Sequence, residues 1–486
     1  MSIESRKTKK ATLFLLIFIL VSLGIRLFLI NWYSAPYTDG VFLMTLFESY
    51  NENNNYPPLY SALLSTLDRT INDPITSGRL ISILSGVGLI GLIFHFGNKL
   101  FREKTGLIAA LIYGTTPLVF RWDLRVMTDS MFTLLFCLSL YFLLQTLNLK
   151  KRSYFLLFNF FAALSALTRY QGLVFLPLVF YLFYHVLLQQ KSSGKWLYLL
   201  AGLICWLCVP AWMVYRGFSQ IGQYQESMHS SLWENVASIL SMMQMLLHAM
   251  FYAFGYLASA LMIYGVVSYG KNPARLRGFL PICGYLFFAF WLAHSAFMRA
   301  FQTRYFLPLW PLAALFAAWG IVELSRCKPY LARAFLSIIL VSNIFWSGMV
   351  LHFQRDSFGA LRRSAEFIAR HLPEADIVTT EFYKLAFFAG RNQRGKPRNQ
   401  PDKLSILAER NLRSGFYVYT DTLYQPDFFS LFQDFSFEVV YKDRETVMPI
   451  LPDVIQSTSH MNNIEWLSTR FKPWTTDSMI LKVVNK

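Results

Sequence analysis

Charged residues are scarce in this sequence. Asp, Glu, Lys and Arg make up 15% of the 486 residues, whereas a soluble protein carries about a quarter. Apolar runs long enough to cross the core of a bilayer take their place. This composition argues against a large soluble enzyme and predicts a polytopic membrane protein. The net charge of +17 then indicates basic cytoplasmic loops and no nucleic-acid partner.

Cysteine and nucleotide motifs are sparse as well. Four of the five cysteines fall within apolar runs, so a disulfide framework is not expected. Cys205 and Cys208 form a C-x-x-C, but it lies in a predicted span and lacks further ligands. Walker A and HExxH sequences are absent. The G-x-G-x-x-G formed by Gly86, Gly88 and Gly91 also lies in a membrane run, where small residues that allow close helix packing are the better interpretation. No nucleotide cofactor is expected.

Eleven apolar segments are predicted to span the membrane: 11–31, 79–98, 106–120, 130–147, 154–168, 171–189, 196–214, 247–269, 279–297, 305–324 and 333–353. The first run follows the basic stretch "MSIESRKTKK" and is predicted to be an uncleaved anchor with its N-terminus inside. The loops then alternate, and among the loops between spans lysine occurs only in those predicted to lie inside. The loops predicted to lie outside contain arginine instead, at positions 69, 79, 121, 125, 169, 216, 299 and 304.

Two outside parts are large. The first loop, 32–78, contains "YPPLYSALLSTLDRTI", which is typical of an interfacial helix. The tail, 354–486, has one helical pattern, "DSFGALRRSAEFIARHL", and four short strand patterns in "DIVTT", "GFYVYTDTL", "FEVVYKD" and "MILKVV". The sequence therefore predicts an all-α membrane domain over 1–353 and a small extracytoplasmic α/β domain over 354–486.

Ionisable residues gather at the predicted outside ends of the spans. Asp39 follows span one in "PYTDG", a turn-like stretch in which Gly40 would allow a sharp turn. Asp129 begins span four, where a charge is expected to face a cavity or a partner. Arg169 lies between spans five and six, and Arg299 and Arg304 precede span ten.

This set of residues suits group transfer from a lipid phosphate. Arginines stabilise the charge that develops on the departing phosphate, and a carboxylate can deprotonate an acceptor hydroxyl. Two plainer interpretations remain open, an exposed turn residue for Asp39 and an arginine that extends to the membrane interface for Arg304.

Several segments, in this order, resemble the C-type glycosyltransferases, most closely the protein O-mannosyltransferases and the lipid A aminoarabinose transferases. They are Asp39 after span one, "NNYPPLY", "RVMTDSMFTLLFCLSLYFLL", "LTRYQGLVFLPL" and "TRYFLPLWPLAALFAAWGI", and the resemblance covers about residues 1–350. It implies the C-type fold and inverting transfer of a sugar from a polyprenyl-phosphate carrier.

The resemblance also implies residue roles. Asp39 matches the first-loop catalytic acid and Asp129 the second acid, before span four. Tyr56 stands where the aminoarabinose enzymes have a lysine, so that phosphate contact is lost or replaced; Tyr56 and Tyr305 are grouped with Arg304, Arg169 and Arg299 as donor-phosphate residues. Some relatives hold a divalent metal, for which His229 is a weak candidate ligand and no clear ligand set is visible.

Two other function classes stay open at this stage. A lipid or sugar transporter or flippase would be expected to show an internal repeat, which the sequence lacks, and another membrane transferase or a polysaccharide ligase would favour a large late loop. The expected partners are a polyprenyl-phosphate sugar donor, membrane lipid and an acceptor glycan, lipid or protein. No N-x-S/T sequon occurs, which favours a bacterial inner membrane with the active site and C-terminus outside. The sequence fixes neither the sugar nor the acceptor.

Overall fold

The computed structural model is mostly helical, with one small sheet near the C-terminus. It describes residues 3–47, 56–149, 151–184, 195–216, 254–271, 279–293, 303–375, 377–379, 382–389, 414–421, 428–447 and 474–485. By their contacts the residues form two compact units. The first comprises Met1–Ile30, Asn53–Met349 and Leu451–His460, and the second comprises Asn31–Glu52, Val350–Ile450 and Met461–Lys486.

Within the described residues, the α-helices up to the end of the last apolar run are α1 Ile3–Phe28, α2 Thr38–Met44, α3 Leu59–Ile71, α4 Pro74–Leu100, α5 Glu103–Thr115, α6 Pro117–Asp123, α7 Asp129–Leu149, α8 Arg152–Thr168, α9 Leu176–Leu182, α10 Lys195–Arg216, α11 Tyr256–Gly270, α12 Phe279–Ala293, α13 Trp310–Cys327 and α14 Pro329–Phe353. Two 3-10 helices, Tyr170–Phe175 and Thr303–Leu309, precede α9 and α13.

Each predicted span overlaps at least one of these helices. Six stretches of the described residues are long and apolar enough to cross a membrane: Ala11–Phe28, Pro74–Leu100, Asp129–Leu149, Trp196–Tyr215, Arg304–Cys327 and Pro329–Phe353. The protein is an integral membrane protein, and the total of eleven spans stays a prediction. The predicted interfacial helix is also present, as α3.

Small residues set the helix packing of the first unit. Helices α11 and α13 cross so closely that a Cβ atom on Gly265 would lie 1.9 Å from the carbonyl oxygen of Phe316, and one on Gly320 would lie 2.2 Å from that of Leu261. An 18-residue apolar window of the segment Arg304–Cys327 is entirely buried within the molecule. Helix α14 instead exposes Ile338, Val341, Ile344 and Phe345, as expected of a helix that faces lipid.

The arginine within the first apolar run has a buried partner. Arg26 Nε lies 2.9 Å from Asp123 Oδ2, and both side chains are 1% exposed. Ser130 Oγ donates to the other Asp123 oxygen over 2.7 Å, and the Arg26 guanidinium also reaches Ser22 and the carbonyl of Gly114. Removing one partner of such a buried pair typically costs about 3–5 kcal/mol. Asp123 is therefore a structural residue that joins α1 to α6 and α7.

The tail contains all four predicted strands and the predicted helix. Helix α15 is Gly359–His371, α16 is Phe382–Phe388 and α17 is Phe428–Leu431; the strands are β1 Ile377–Val378, β2 Tyr417–Asp421, β3 Ser436–Val447 and β4 Trp474–Asn485. The sheet order is β1-β2-β4-β3. Strands β1 and β2 are parallel, whereas β4 pairs antiparallel with both β2 and β3. Apolar side chains of α15 pack on one side of this sheet, around Leu361, Ala365, Ile368, Tyr419 and Ile480.

The segment that follows span one groups with the tail, in the second unit. The turn expected at "PYTDG" is wrong: Asp39 lies in the first turn of α2 and Gly40 lies inside that helix. A carboxylate in the first turn is favourable because the helix dipole is positive there. The predicted domain division at residue 353 stays a prediction. By its contacts, the segment after span one groups with residues from Val350 onwards and not with the helices of the first unit.

Candidate active site

Three separated stretches of the first unit meet at helix ends. Asp129 is the first residue of α7, Arg169 directly follows α8, and Arg304 and Tyr305 lie in the 3-10 helix before α13. Helix ends carry unpaired backbone groups and sharp changes of chain direction, so side chains there can converge without breaking a span. Four of the seven predicted site residues come together in this way.

Asp129 and Arg169 form an ion pair. Arg169 Nη1 lies 2.5 Å from Asp129 Oδ1 and 3.4 Å from Thr128 Oγ1. Asp129 is buried, and its second carboxylate oxygen has no hydrogen-bond partner among the described residues. A buried acceptor of this kind can accept a hydrogen bond from a ligand.

Tyr305 links the two arginines. The guanidinium carbon of Arg169 lies 5.3 Å from the centre of the Tyr305 ring, and that of Arg304 lies 5.4 Å from it. Arg304 also lies over Trp122, at 5.2 Å from the ring, with Nη1 3.9 Å from the sulfur of Met127. Stacking on aromatic faces holds a guanidinium in place, and the guanidinium fork matches the geometry of oxyanions such as phosphate.

A hydrogen bond from α4 holds the segment that precedes Asp129. Ser82 Oγ donates to the carbonyl of Met127 over 3.0 Å. The hydroxyl of Tyr60 donates to the carbonyl of Gly78 over 2.7 Å and lies 3.1 Å from Ser82 Oγ. Burial raises the pKa of Tyr60, and the nearby Asp129 raises it further, so this phenol stays protonated as a donor. Tyr60 was not singled out from the sequence, because a tyrosine in an amphipathic helix gives no specific signal.

The remaining predicted site residues are not assigned to this group. Asp39 belongs to the second unit. The carbonyl of Tyr56 accepts a hydrogen bond from Trp212 Nε1 over 3.1 Å. Arg299 and the weak metal candidate His229 lie outside the described residues. Within the described part of the chain, no three His, Cys, Asp or Glu side chains come together as metal ligands, and no step is assigned to a metal.

The comparisons confirm the resemblance to the C-type glycosyltransferases. A family model described as dolichyl-phosphate-mannose-protein mannosyltransferase matches residues 55–215, a stretch that contains Tyr56, Asp129 and Arg169. A search of the curated proteins finds no match to this sequence.

Solved structures show that the chain has the C-type fold. ArnT from Cupriavidus metallidurans, in the apo state, is 13% identical with a TM-score of 0.60, and the match covers 97% of this chain and 98% of that one. The same protein bound to undecaprenyl phosphate is 12% identical with a TM-score of 0.59, covering 89% and 96%. The oligosaccharyltransferase of Archaeoglobus fulgidus, in a complex with Zn and sulfate, is 13% identical with a TM-score of 0.53, covering 86% and 69%.

Proposed function

We propose that this protein is a glycosyltransferase that moves a sugar from a polyprenyl-phosphate donor to an acceptor hydroxyl on the extracytoplasmic face of the membrane. The observation that carries this proposal is the group of Arg169, Arg304 and Tyr305 beside the buried carboxylate of Asp129. The chain has the fold of a protein solved with undecaprenyl phosphate bound, and this similarity supports the same class of lipid ligand here.

The two arginines take the donor phosphate. When the bond between the anomeric carbon and the phosphate oxygen breaks, the lipid phosphate leaves with one more negative charge. Donors aimed at that oxygen stabilise the charge as it develops, and an arginine fork matches two phosphate oxygens at once. Asp129 orients Arg169 through their ion pair and, with its second oxygen, can accept a hydrogen bond from the sugar.

Asp39 is the proposed general base. It removes the proton of the acceptor hydroxyl while that oxygen attacks the anomeric carbon from the side opposite the phosphate, which inverts the stereochemistry. The products are the glycosylated acceptor, the polyprenyl phosphate and one proton held by Asp39. The donor sugar is a hexose or a pentose, the acceptor is a lipid, glycan or protein, and the membrane is a bacterial inner membrane.

A transporter or flippase is the second candidate, because it too would bind a lipid phosphate in a polytopic helical protein. Both would bind undecaprenyl phosphate, but only the transferase makes a new glycosidic bond. Mass spectrometry of the glycolipids and envelope glycans of a deletion strain separates them. Loss of a transferase leaves a polyprenyl-linked donor in excess and one glycosylated product missing. Loss of a flippase leaves every extracytoplasmic product of that donor missing.

The sharper test is Asp39→Asn in the purified protein, assayed with the donor that accumulates in the deletion strain and for the product that this strain lacks. The amide keeps the shape of the side chain but accepts no proton, and loss of a general base typically costs about 10²–10⁴-fold in rate. Transfer should therefore fall at least a hundredfold while binding of undecaprenyl phosphate is unchanged. Asp434→Asn, the same change at an exposed residue of the same unit, should leave transfer intact. Native rates in the Asp39 variant would show that this carboxylate is not the base.

A further inference from the structure

The segment that carries Asp39 is bound by residues more than 300 positions later in the chain. Backbone N–H of Ser34 donates to the carbonyl of Arg355 over 2.9 Å, and Ser34 Oγ donates to Asp356 Oδ1 over 2.8 Å. The carbonyl of Ser34 accepts from Arg362 Nη1 over 2.7 Å. Three hydrogen bonds thus tie one residue of the early segment to the start of the tail.

Aromatic contacts extend this attachment on both sides of Ser34. Trp32 Nε1 donates to the carbonyl of Leu351 over 2.8 Å, and the Arg355 guanidinium lies 4.6 Å from the centre of the Trp32 ring. The rings of Tyr37 and Phe358 meet edge to face at 5.2 Å. Helix α2, which follows Tyr37 and contains Asp39, packs against α16 of the tail.

The tail residues that bind this segment are themselves held by the sheet. Asp356 accepts from Arg363 over 3.1 and 3.2 Å, and Arg363 Nε lies 2.5 Å from Asp443 Oδ2 on β3. Glu445, also on β3, accepts from the backbone N–H groups of Phe358 and Ala360. A chain of polar contacts therefore runs from the sheet to Ser34.

We propose that the C-terminal α/β unit positions the catalytic base: Arg362 and Asp356 are positioning residues that hold the Ser34–Asp39 segment through Ser34. This inference rests on the proposed function, because it assigns a role in that reaction. A displacement of about 1 Å at a reacting group can cost a hundredfold in rate, so an anchor five residues from Asp39 can control turnover without touching a substrate. The tail is then part of the transferase and not only an appended domain.

Arg362→Gln tests this proposal and should fold, because 42% of the Arg362 side chain is exposed. Ser34→Ala removes the donor to Asp356 from the other side, and Arg362→Lys keeps one positive donor. The matched control is Arg370→Gln, an exposed arginine of the same helix. Each is made in the full-length protein, with hydrogen exchange of the peptide containing residues 34–44 and transfer kinetics as the two readouts.

If the tail holds the base, Arg362→Gln and Ser34→Ala speed exchange of that peptide. They also lower kcat by tenfold or more, towards the roughly hundredfold cost of a small misplacement, with an unchanged KM for the lipid donor and unchanged thermal stability. A loss confined to kcat shows that the transition state alone is affected. Arg362→Lys recovers part of the rate and Arg370→Gln changes neither readout.

Two results would overturn the proposal. Unchanged exchange in both variants would show that the tail does not hold the segment, and faster exchange with unaltered kcat would show that holding it does not matter for transfer. Failure of the proposed function looks different, because the wild-type protein then transfers no sugar and binds no undecaprenyl phosphate. The exchange readout still reports on the contact in that case, and the positioning role is rejected with the reaction.

Discussion

Arg304 is the site residue whose guanidinium lies over two aromatic rings, those of Trp122 and Tyr305. It is 7% exposed, which does not fit an arginine that extends freely into the interface. Arg304→Lys keeps the positive charge over the rings but replaces the planar fork with a point charge. We expect the variant to fold and transfer to fall by about a hundredfold, the typical loss when one donor to a developing oxyanion is removed. Single-turnover transfer with purified protein measures this.

Arg69→Lys is the matched control for this change. Arg69 lies in the last turn of α3 and is exposed, so the same substitution should leave the rate within about twofold of wild type, as for most surface changes. Near-normal turnover in Arg304→Lys would leave packing as the only role of that arginine.

Glu445 makes the tail sensitive to pH. Burial raises the pKa of this carboxyl to about 7, although it accepts two backbone N–H groups of the α15 start. The folded state thus favours the protonated form, so this contribution to stability is present below the ordinary pKa near 4.5 and is lost as pH rises through 7. The loss is at most about 3 kcal/mol, from a shift worth 1.36 kcal/mol per pKa unit. Melting curves of the full-length protein between pH 4.5 and 7.5, with the tail unfolding as the signal, should show it.

Glu445→Gln should flatten that dependence, because the amide does not titrate. Glu438→Gln changes an exposed glutamate of the same strand and should keep the wild-type profile. Equal pH profiles for wild type and Glu445→Gln would assign the effect to other groups.

At the scale of elements, the glycines of α4 show why a dinucleotide-like pattern occurs in a membrane helix. A Cβ atom on Gly86 would lie 2.2 Å from the carboxylate of Asp123, and that carboxylate is fixed by Arg26 and Ser130. One on Gly88 would meet only Leu134, at 3.8 Å. Gly86 therefore lets α4 pass the buried ion pair, which agrees with the interpretation of this pattern as a packing motif.

Gly86→Ala and Gly88→Ala should consequently differ in stability. The first overpacks a rigid site and should lower the free energy of unfolding by about 1–3 kcal/mol. The second should be neutral or raise it by up to about 1 kcal/mol, because alanine loses less entropy than glycine in a helix. Thermal melting of both proteins in one detergent compares them directly. Equal stability of the two variants would mean that Asp123 can move away, contrary to its buried contacts.

At the scale of the whole molecule, the charge distribution predicts which face holds the site. Lysines occur in the predicted inside loops and not in the predicted outside ones, which is the expected bias of a membrane protein with its tail outside. A reporter that fluoresces only in the cytoplasm should be dark when fused after Lys486 and bright when fused after Lys104. The reverse pattern would place Asp129, Arg169 and Arg304 on the cytoplasmic face and reject the proposed extracytoplasmic donor.

Local pattern alone determined much of this protein. Apolar runs of bilayer length, alternation in the tail and a proline before an amphipathic stretch predicted the long helices, the four strands and α3, because these signals depend on neighbouring residues. The resemblance of short ordered segments also identified four residues that meet in space, Asp129, Arg169, Arg304 and Tyr305. All four lie at or next to helix ends, and the end of an apolar run in the sequence indicates where such an end falls.

Tertiary structure decided the contacts between distant parts of the chain. The pairing of Arg26 with Asp123 depends on how α1, α4 and α6 pack. Likewise, "PYTDG" has the composition of a turn, yet residues 38–44 form a helix that packs on α16 and is anchored through Ser34. Contacts across 300 residues supply the free energy that overrides weak local preferences, and no short stretch of sequence contains that information.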